Sequence, residues 1–364
     1  MEYKKRYFAT FDALRFFAFL KVYLLHLPIV AFPAFNFIRS GGDIGVNFFF
    51  VLSGFLITYI LLEEKKATQK IELKKFFVRR ILRIWPLYYL MVAFAYLTPF
   101  ILKSIGLSYS NVGYEPNWLM TCLFLENYQI IWTGNVPNVS PLAVMWSVCV
   151  EEHFYIVWGV LLYCLPINRV PLLIFISLLI TIVARYIFGL NEWSFLDLST
   201  NIGYFAFGAI PAYLSITRGS AFEDFLQAFS KGFKYVFLLI VILIVLICPF
   251  WQYTYAYLVI PLVLGLLFSI LISLTLPFKN ALFISNKSVI SRLGIFTYGL
   301  YMYHTIVINF VLQLYNSYEL PLGNALNALL FVILTLIMTV AASLASYYLF
   351  ERYFLRLKKY FYPS

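Results

Sequence analysis

Ten stretches of mainly apolar residues, most about 17–25 residues long, recur along the chain, each long enough to cross a ~30 Å hydrocarbon core as a helix. They cover residues 9–32, 43–62, 84–102, 141–165, 170–189, 198–216, 234–250, 255–276, 294–315 and 325–350. A backbone in lipid must satisfy its own hydrogen bonds, so runs of this length are read as helices. Composition agrees, with 63% hydrophobic and 12% charged residues, against roughly 25% charged in an average soluble domain. The expected fold is therefore all-α: a polytopic membrane protein of about ten transmembrane helices, forming one integral-membrane domain over residues 1–364 with no fused soluble domain. No cleavable signal peptide is evident, because the first run continues past a short apolar region without a small-residue cleavage site.

Orientation follows from Lys and Arg, which accumulate in short cytoplasmic loops. With the N-terminus inside, 22 of the 27 fall in cytoplasmic segments, Arg15 and Lys21 lie within the first run, and only Arg39, Lys103 and Arg185 fall outside. Both termini are thus expected in the cytoplasm. The longest loop, 103–140, contains NWLMTCLFLENYQIIW, whose aromatic and polar mixture suits an interfacial or re-entrant segment. The net charge of +11 is explained by this topology and by anionic inner-leaflet lipids, so no nucleic-acid partner is expected. Four cysteines without paired spacing suggest neither a disulfide framework nor a metal site.

Ionisable residues inside the apolar runs are the informative ones, since burying them in lipid is costly. In the first run, Arg15 and His26 lie eleven residues apart; at ~100° per residue this returns to the same helix face. Asp12 sits one turn before Arg15, close enough to pair with it. The rise places Arg15 near the cytoplasmic surface and His26 ~16 Å deeper, near mid-membrane. Lys21 is off this face and reads as a snorkelling side chain. Taken alone, Arg15 also fits an interfacial anchor, and His26 an interhelical hydrogen bond.

Four further constellations follow. GGDIGVNFFFVLSGFLIT (Gly41–Thr58) opens the second run with glycines that permit close helix approach and carries Asn47. FFVRRILRIWPLYYL places Arg80 and Arg83 at i, i+3, with Arg79 at i, i+4 from Arg83. Guanidinium forks so arranged suit phosphates, or a basic stretch that only fixes topology; Pro86 marks a kink or a helix start. MWSVCVEEHFYIVWG sets Glu151, Glu152 and His153 inside the fourth run, with Ser147 on the face of Glu151. YGLYMYH spaces Tyr298, Tyr301 and His304 three apart. Glu351, at the end of the tenth run, reads as a structural partner for a basic residue.

Together and in order, these motifs resemble the acyltransferase 3 family of integral-membrane acyltransferases. The resemblance rests on Arg15 and His26, Gly45–Thr58, Arg80 and Arg83, Trp146–Tyr155 and Tyr298–His304. Asn47 stands where the family often has Asp, His153 where it often has Gln, and Tyr353 where it often has Pro. The resemblance implies transfer of an acyl group, most commonly acetyl, from cytoplasmic acyl-CoA to a hydroxyl of an extracytoplasmic glycan or its lipid-linked precursor. Acetyl-CoA would be a co-substrate, with no permanently bound cofactor and no metal. The protein would be multi-pass in the inner (plasma) membrane.

On this reading His26 and Glu151 are the catalytic candidates, with His26 as general base or acyl carrier. Arg15, Arg80 and Arg83 would bind acyl-CoA, and Asp12, Asn47, Ser147, Glu152, Tyr298, Tyr301 and His304 would line the cavity. Two competing classes are a transporter or flippase of a lipid-linked glycan and an accessory subunit of a glycan synthase. The arginine pair combined with a buried histidine favours the enzyme.

Overall fold

The computed structural model describes residues 7–104, 112–139, 141–251, 253–277 and 279–362. Lys4, Lys5 and Arg6, which contribute to the charge bias, lie outside the described residues.

Sixteen α-helices follow one another: α1 Ala9–His26, α2 Pro33–Arg39, α3 Asp43–Thr68, α4 Leu73–Ser104, α5 Trp118–Cys122, α6 Glu126–Thr133, α7 Trp146–Cys164 and α8 Val170–Leu190, then α9 Leu198–Thr217, α10 Gly219–Gln227, α11 Lys231–Ile247, α12 Ala256–Ser273, α13 Val289–Ile295, α14 Thr297–Ser317, α15 Ala325–Ser346 and α16 Arg352–Leu357. A π-helical turn, Tyr347–Glu351, joins the last two. The described residues form no strand. Each of the ten apolar runs contains most of one long helix, although 9–32 continues past the end of α1 and 294–315 begins in α13. Seven helical segments are long and apolar enough to cross a membrane, eight if the bent pair α13 and α14 counts as one span. α1 and α9, of 18 and 20 residues, carry too many polar groups to qualify on composition and are instead buried by their neighbours.

Several helix starts are fixed by side-chain caps, from Asn117, Asp197, Ser230, Ser288 and Asn324, which accept orphan backbone N–H groups of the first turn. Pro86 lies inside the continuous helix α4 rather than at a helix start.

α3 and α9 form the centre of the molecule, and glycines allow their backbones to touch. A Cβ on Gly54 would stand 2.1 Å from the Phe205 carbonyl oxygen, and one on Gly208 would stand 1.9 Å from that of Val51. Aromatic stacks of Phe205 on Phe50 and on Phe154 extend the same seam to α7. At one end of the bundle, Lys65 donates to the carbonyls of Leu162, Tyr163 and Leu165 at the last turn of α7, and Lys66 to that of Ile216 in α9. Lysine at a helix C-terminus satisfies carbonyls that have no helical partner. Lys21 plays the same part for α2, donating to Ile38 and Ser40 at 2.7 Å; it is a cap rather than the expected snorkelling side chain.

The segment between α4 and α7 folds as two short helices against the bundle. Tyr88 donates to the Thr121 carbonyl (2.7 Å) and Tyr89 to that of Cys122 (2.9 Å). Glu126, fully buried, accepts from Thr121 at 2.6 Å and from Tyr114. Burial pushes its carboxyl above the usual range, against these two hydrogen bonds. Neither α5 nor α6 is long enough to span, in keeping with an interfacial or re-entrant segment.

Candidate active site

The polar face of α1 forms as its spacing predicts. Arg15 Nη1 lies 2.6 Å from Asp12 Oδ1, and the hydroxyl of Tyr7 donates to the other carboxylate oxygen. Packing against α3 sets the level of this face. Phe8 and Phe11 meet Phe55, whereas Gly45 lies against the Ala18 carbonyl and Gly42 against Leu25. Arg15 therefore lies between the levels of Gly45 and Phe55 of α3. The 22 steps from Gly42 to Glu64 rise about 33 Å, close to the full hydrocarbon thickness. His26, just beyond Leu25, thus stands at the Asp43 end of α3. Both residues lie further from the Glu64 end than counting along the first apolar run suggests, because α1 starts part-way along α3.

The three arginines of α4 separate. Buried Arg79 approaches Glu64 at 3.7 Å and donates to the Phe361 carbonyl, while Glu64 accepts from the backbone N–H of Glu72 at 2.7 Å. Arg80 turns the other way, its guanidinium carbon 5.5 Å from the Tyr155 ring centre and 5.7 Å from that of Phe76, and interacts electrostatically with Glu151. Its Nε is buried without a hydrogen-bond partner. Exposed Arg83 is near enough to Arg15 and Arg80 for the like charges to repel, so the three arginines share one neighbourhood. Glu351, on the π-helical turn, accepts from Ser346 at 3.0 Å and faces Arg83 electrostatically. This fits the structural role read from its sequence position.

On α7, Glu151 accepts from Ser53 of α3 and from Tyr155 one turn later. Glu152 accepts from the Trp85 indole at 3.1 Å and keeps its second oxygen buried without a partner. Ser147 and Tyr301 join hydroxyls at 2.7 Å, and Tyr301 donates to the Val144 carbonyl at 2.9 Å. Tyr298 donates to the Ile84 carbonyl of α4 at 2.9 Å. Ser147 and Glu151 share a helix face but serve different partners. His153 stacks on Tyr128 of α6, ring centres 5.6 Å apart. Asn47 is buried on α3 and makes no side-chain hydrogen bond to these residues.

α13 and α14 bend by 83° at their junction. Gly294 in α13 lies so close to α1 that a Cβ there would stand 1.8 Å from the Asp12 carbonyl oxygen. This contact brings α14 alongside α1, where His304 meets His26: Nε2 of the first is 3.3 Å from Nδ1 of the second, with ring centres 4.9 Å apart. His304 is fully buried. The loop after His26 is closed by Arg39, which donates to the Leu27 and Ile29 carbonyls at 3.0 and 3.1 Å.

One polar track results, running from Arg80 and Arg83, through Arg15 and through Tyr155 with Glu151, to Tyr301, His304 and His26. No role is read from the sequence for Ser53, Trp85, Tyr155 or Arg39, although Ser53 and Tyr155 lie inside the Gly45–Thr58 and Trp146–Tyr155 motifs that carry the resemblance. The spacing of Tyr155, one turn from Glu151, is a usable signal for its contact; the contacts of Ser53 and Trp85 are with residues 98 and 67 positions away and cannot be read locally. Among the described residues no group of three His, Cys, Asp or Glu side chains is arranged to hold a metal ion.

Residues 8–348 match a family model described as an acyltransferase domain, that of the acyltransferase 3 family. Among curated proteins, the chain is 36% identical over 163 residues to the peptidoglycan O-acetyltransferase OatA of Listeria monocytogenes. It is equally identical, over the same length, to a putative peptidoglycan O-acetyltransferase of Bacillus subtilis. Each match covers 43% of this chain and 24% of the relative. The O-acetyltransferase OatA of Staphylococcus aureus is 29% identical over 226 residues, covering 58% of this chain and 35% of the relative. The matches thus span about a quarter to a third of these relatives' lengths. No solved structure matches. With the family model matching nearly the whole chain, and the motifs in order along it, the chain belongs to the acyltransferase 3 family.

Proposed function

We propose that the chain transfers an acetyl group from cytoplasmic acetyl-CoA to a hydroxyl of a cell-wall glycan, or of its lipid-linked precursor, at the outer face of the inner (plasma) membrane. The observation that carries this reading is that one face of α1 joins an arginine cluster, Arg15 with Arg80 and Arg83 of α4, to an imidazole pair, His26 with His304 of α14. Arg15 and His26 are about 16 Å apart along the helix, a distance suited to an extended pantetheine arm.

On this reading, Arg80 and Arg83 hold donor phosphates, and Arg15, fixed by Asp12, guides the arm. The thioester reaches His26. His26 takes the proton of the acceptor hydroxyl, whose oxygen attacks the thioester carbonyl; the carbon–sulfur bond breaks, and the proton passes to the departing thiolate. Base catalysis of this kind contributes typically about 10²–10⁴-fold. Glu151, held by Ser53 and Tyr155, acts as a counter-charge to Arg80 within the track. The names of the relatives favour a peptidoglycan acceptor.

The test uses the purified chain in proteoliposomes, with radiolabelled acetyl-CoA outside and glycan fragments or lipid-linked precursor within. Acetylated glycan formed only when acetyl-CoA is supplied on the cytoplasmic face supports the proposal. Glycan translocation without acetyl-CoA and without acetylated product contradicts it, and points to a flippase.

A further inference from the structure

The two histidines at the outer end of the track are arranged asymmetrically, and the asymmetry has chemical content. A carbonyl oxygen only accepts hydrogen bonds, so a ring nitrogen facing one carries the hydrogen. His304 Nδ1 lies 2.6 Å from the Tyr301 carbonyl oxygen, and His26 Nδ1 lies 2.9 Å from that of Val22. Both neutral rings are therefore protonated at Nδ1 and bare at Nε2. The atoms that face each other across 3.3 Å are His304 Nε2 and His26 Nδ1, a lone pair opposite a hydrogen that His26 shares with the nearer Val22 carbonyl.

We propose that His304 is a positioning residue for His26: its neutral imidazole accepts the Nδ1–H of His26 and keeps the opposite nitrogen, His26 Nε2, bare and aimed away from the pair for the acceptor hydroxyl. This rests on the reading of His26 as the base. Both nitrogens of His304 are engaged and its ring is fully buried, so it has no atom with which to meet a substrate. His26 is half-buried, and no described residue hydrogen-bonds its Nε2. The Val22 carbonyl, four residues back, also serves the helix backbone. His304 Nε2 supplies an acceptor with no competing donor when His26 becomes an imidazolium and its Nδ1–H bond strengthens. No proton moves to His304: the proton from the acceptor enters at His26 Nε2 and leaves from there. The edge of Phe19, 5.9 Å away, and the ring of Tyr301, at 5.6 Å, hold the His304 plane.

Two measurements on the full chain in lipid nanodiscs test this. In the ¹⁵N spectrum of histidine-labelled protein, with its three histidines assigned through His26→Ala and His153→Gln, we expect His26 and His304 to be protonated at Nδ1. We also expect a correlation across the hydrogen bond from His26 Nδ1 to His304 Nε2. A spectrum with His304 protonated at Nε2, or with no coupling between the rings, overturns the proposal. In kinetics, His304→Leu should lower kcat for acetyl transfer by about tenfold or more with acetyl-CoA binding unchanged. His304→Gln, whose amide oxygen can accept the same hydrogen, should regain part of the loss. Unchanged kcat in the Leu variant, or equal loss in both variants, contradicts it. The spectrum reads the pairing whether or not transfer is observed, so its failure is distinguishable from failure of the proposed activity.

Discussion

Arg79 and Arg80 are consecutive in α4, yet their guanidinium groups meet different halves of the molecule. Arg79 binds Glu64 and the carbonyl of Phe361, tying the C-terminal segment to the start of α4. Arg80, turned by about 100°, lies over Tyr155 and interacts with Glu151. One step in sequence separates an anchor from a member of the polar track.

The anchor predicts a stability phenotype. Glu64 and Arg79 are buried, with side-chain exposures of 0% and 9%, and deleting one partner of a buried pair costs about 3–5 kcal/mol. Arg79→Ala should lower the thermal midpoint of the detergent-solubilised protein markedly, while the folded fraction binds acetyl-CoA as before. An unchanged midpoint, or a selective loss of donor binding, would place Arg79 with the donor site instead.

Arg83 should behave in the opposite way. Exposed, and close to Arg15, Arg80 and Glu351 in electrostatic terms, its side chain makes no hydrogen bond or ion pair among the described residues. Arg83→Lys keeps the charge but loses the planar fork. Acetyl-CoA affinity measured by titration calorimetry should fall on the order of tenfold, with the thermal midpoint unchanged. Wild-type affinity in this variant would argue that Arg83 only fixes topology.

The α3 and α9 seam gives a packing prediction. At Gly54 and Gly208 an added methyl would strike a main-chain oxygen, at 2.1 and 1.9 Å, and a backbone cannot swing aside as a flexible side chain can. Gly54→Ala or Gly208→Ala should cost about 1–3 kcal/mol or more, visible as reduced folded yield and a lower thermal midpoint. Gly232→Ala, where the nearest atom would be 3.9 Å away, serves as the tolerated control. Equal behaviour of all three would show that the seam is looser than described.

Topology is open to direct test as well. Reporter tags at residue 68 and at the C-terminus should read cytoplasmic, and a tag at residue 136 extracytoplasmic. A cytoplasmic reading at 136 would reverse the sidedness of the proposed donor and acceptor ends.

Much of this arrangement is legible in the sequence, for physical reasons. Apolar length marks the long helices, and a turn of about 100° per residue aligns Asp12, Arg15 and His26. The i, i+3 spacing pairs the first two. What cannot be read locally is where one helix sits along another. The levels of Arg15 and His26 depend on glycine contacts of Gly42 and Gly45 with α1. The role of Lys21 depends on α2 folding back over it. The meeting of His26 with His304, 278 residues away, depends on the bend between α13 and α14 and on Gly294 reaching the backbone of Asp12. Ser147 and Glu151 show the converse: their shared face is legible, but the different partners, Tyr301 and Ser53, are set by tertiary packing.

The role of His26 as the base for acetyl transfer is read by comparing His26→Ala with the parent protein in reconstituted vesicles, following acetylated glycan and acetyl-CoA binding in the same preparations. With His26 as the base, product formation in the variant falls by at least about 10²-fold while insertion and acetyl-CoA affinity are retained. Full transfer activity in His26→Ala would contradict it, and would make the imidazole pair a packing element rather than the site of chemistry.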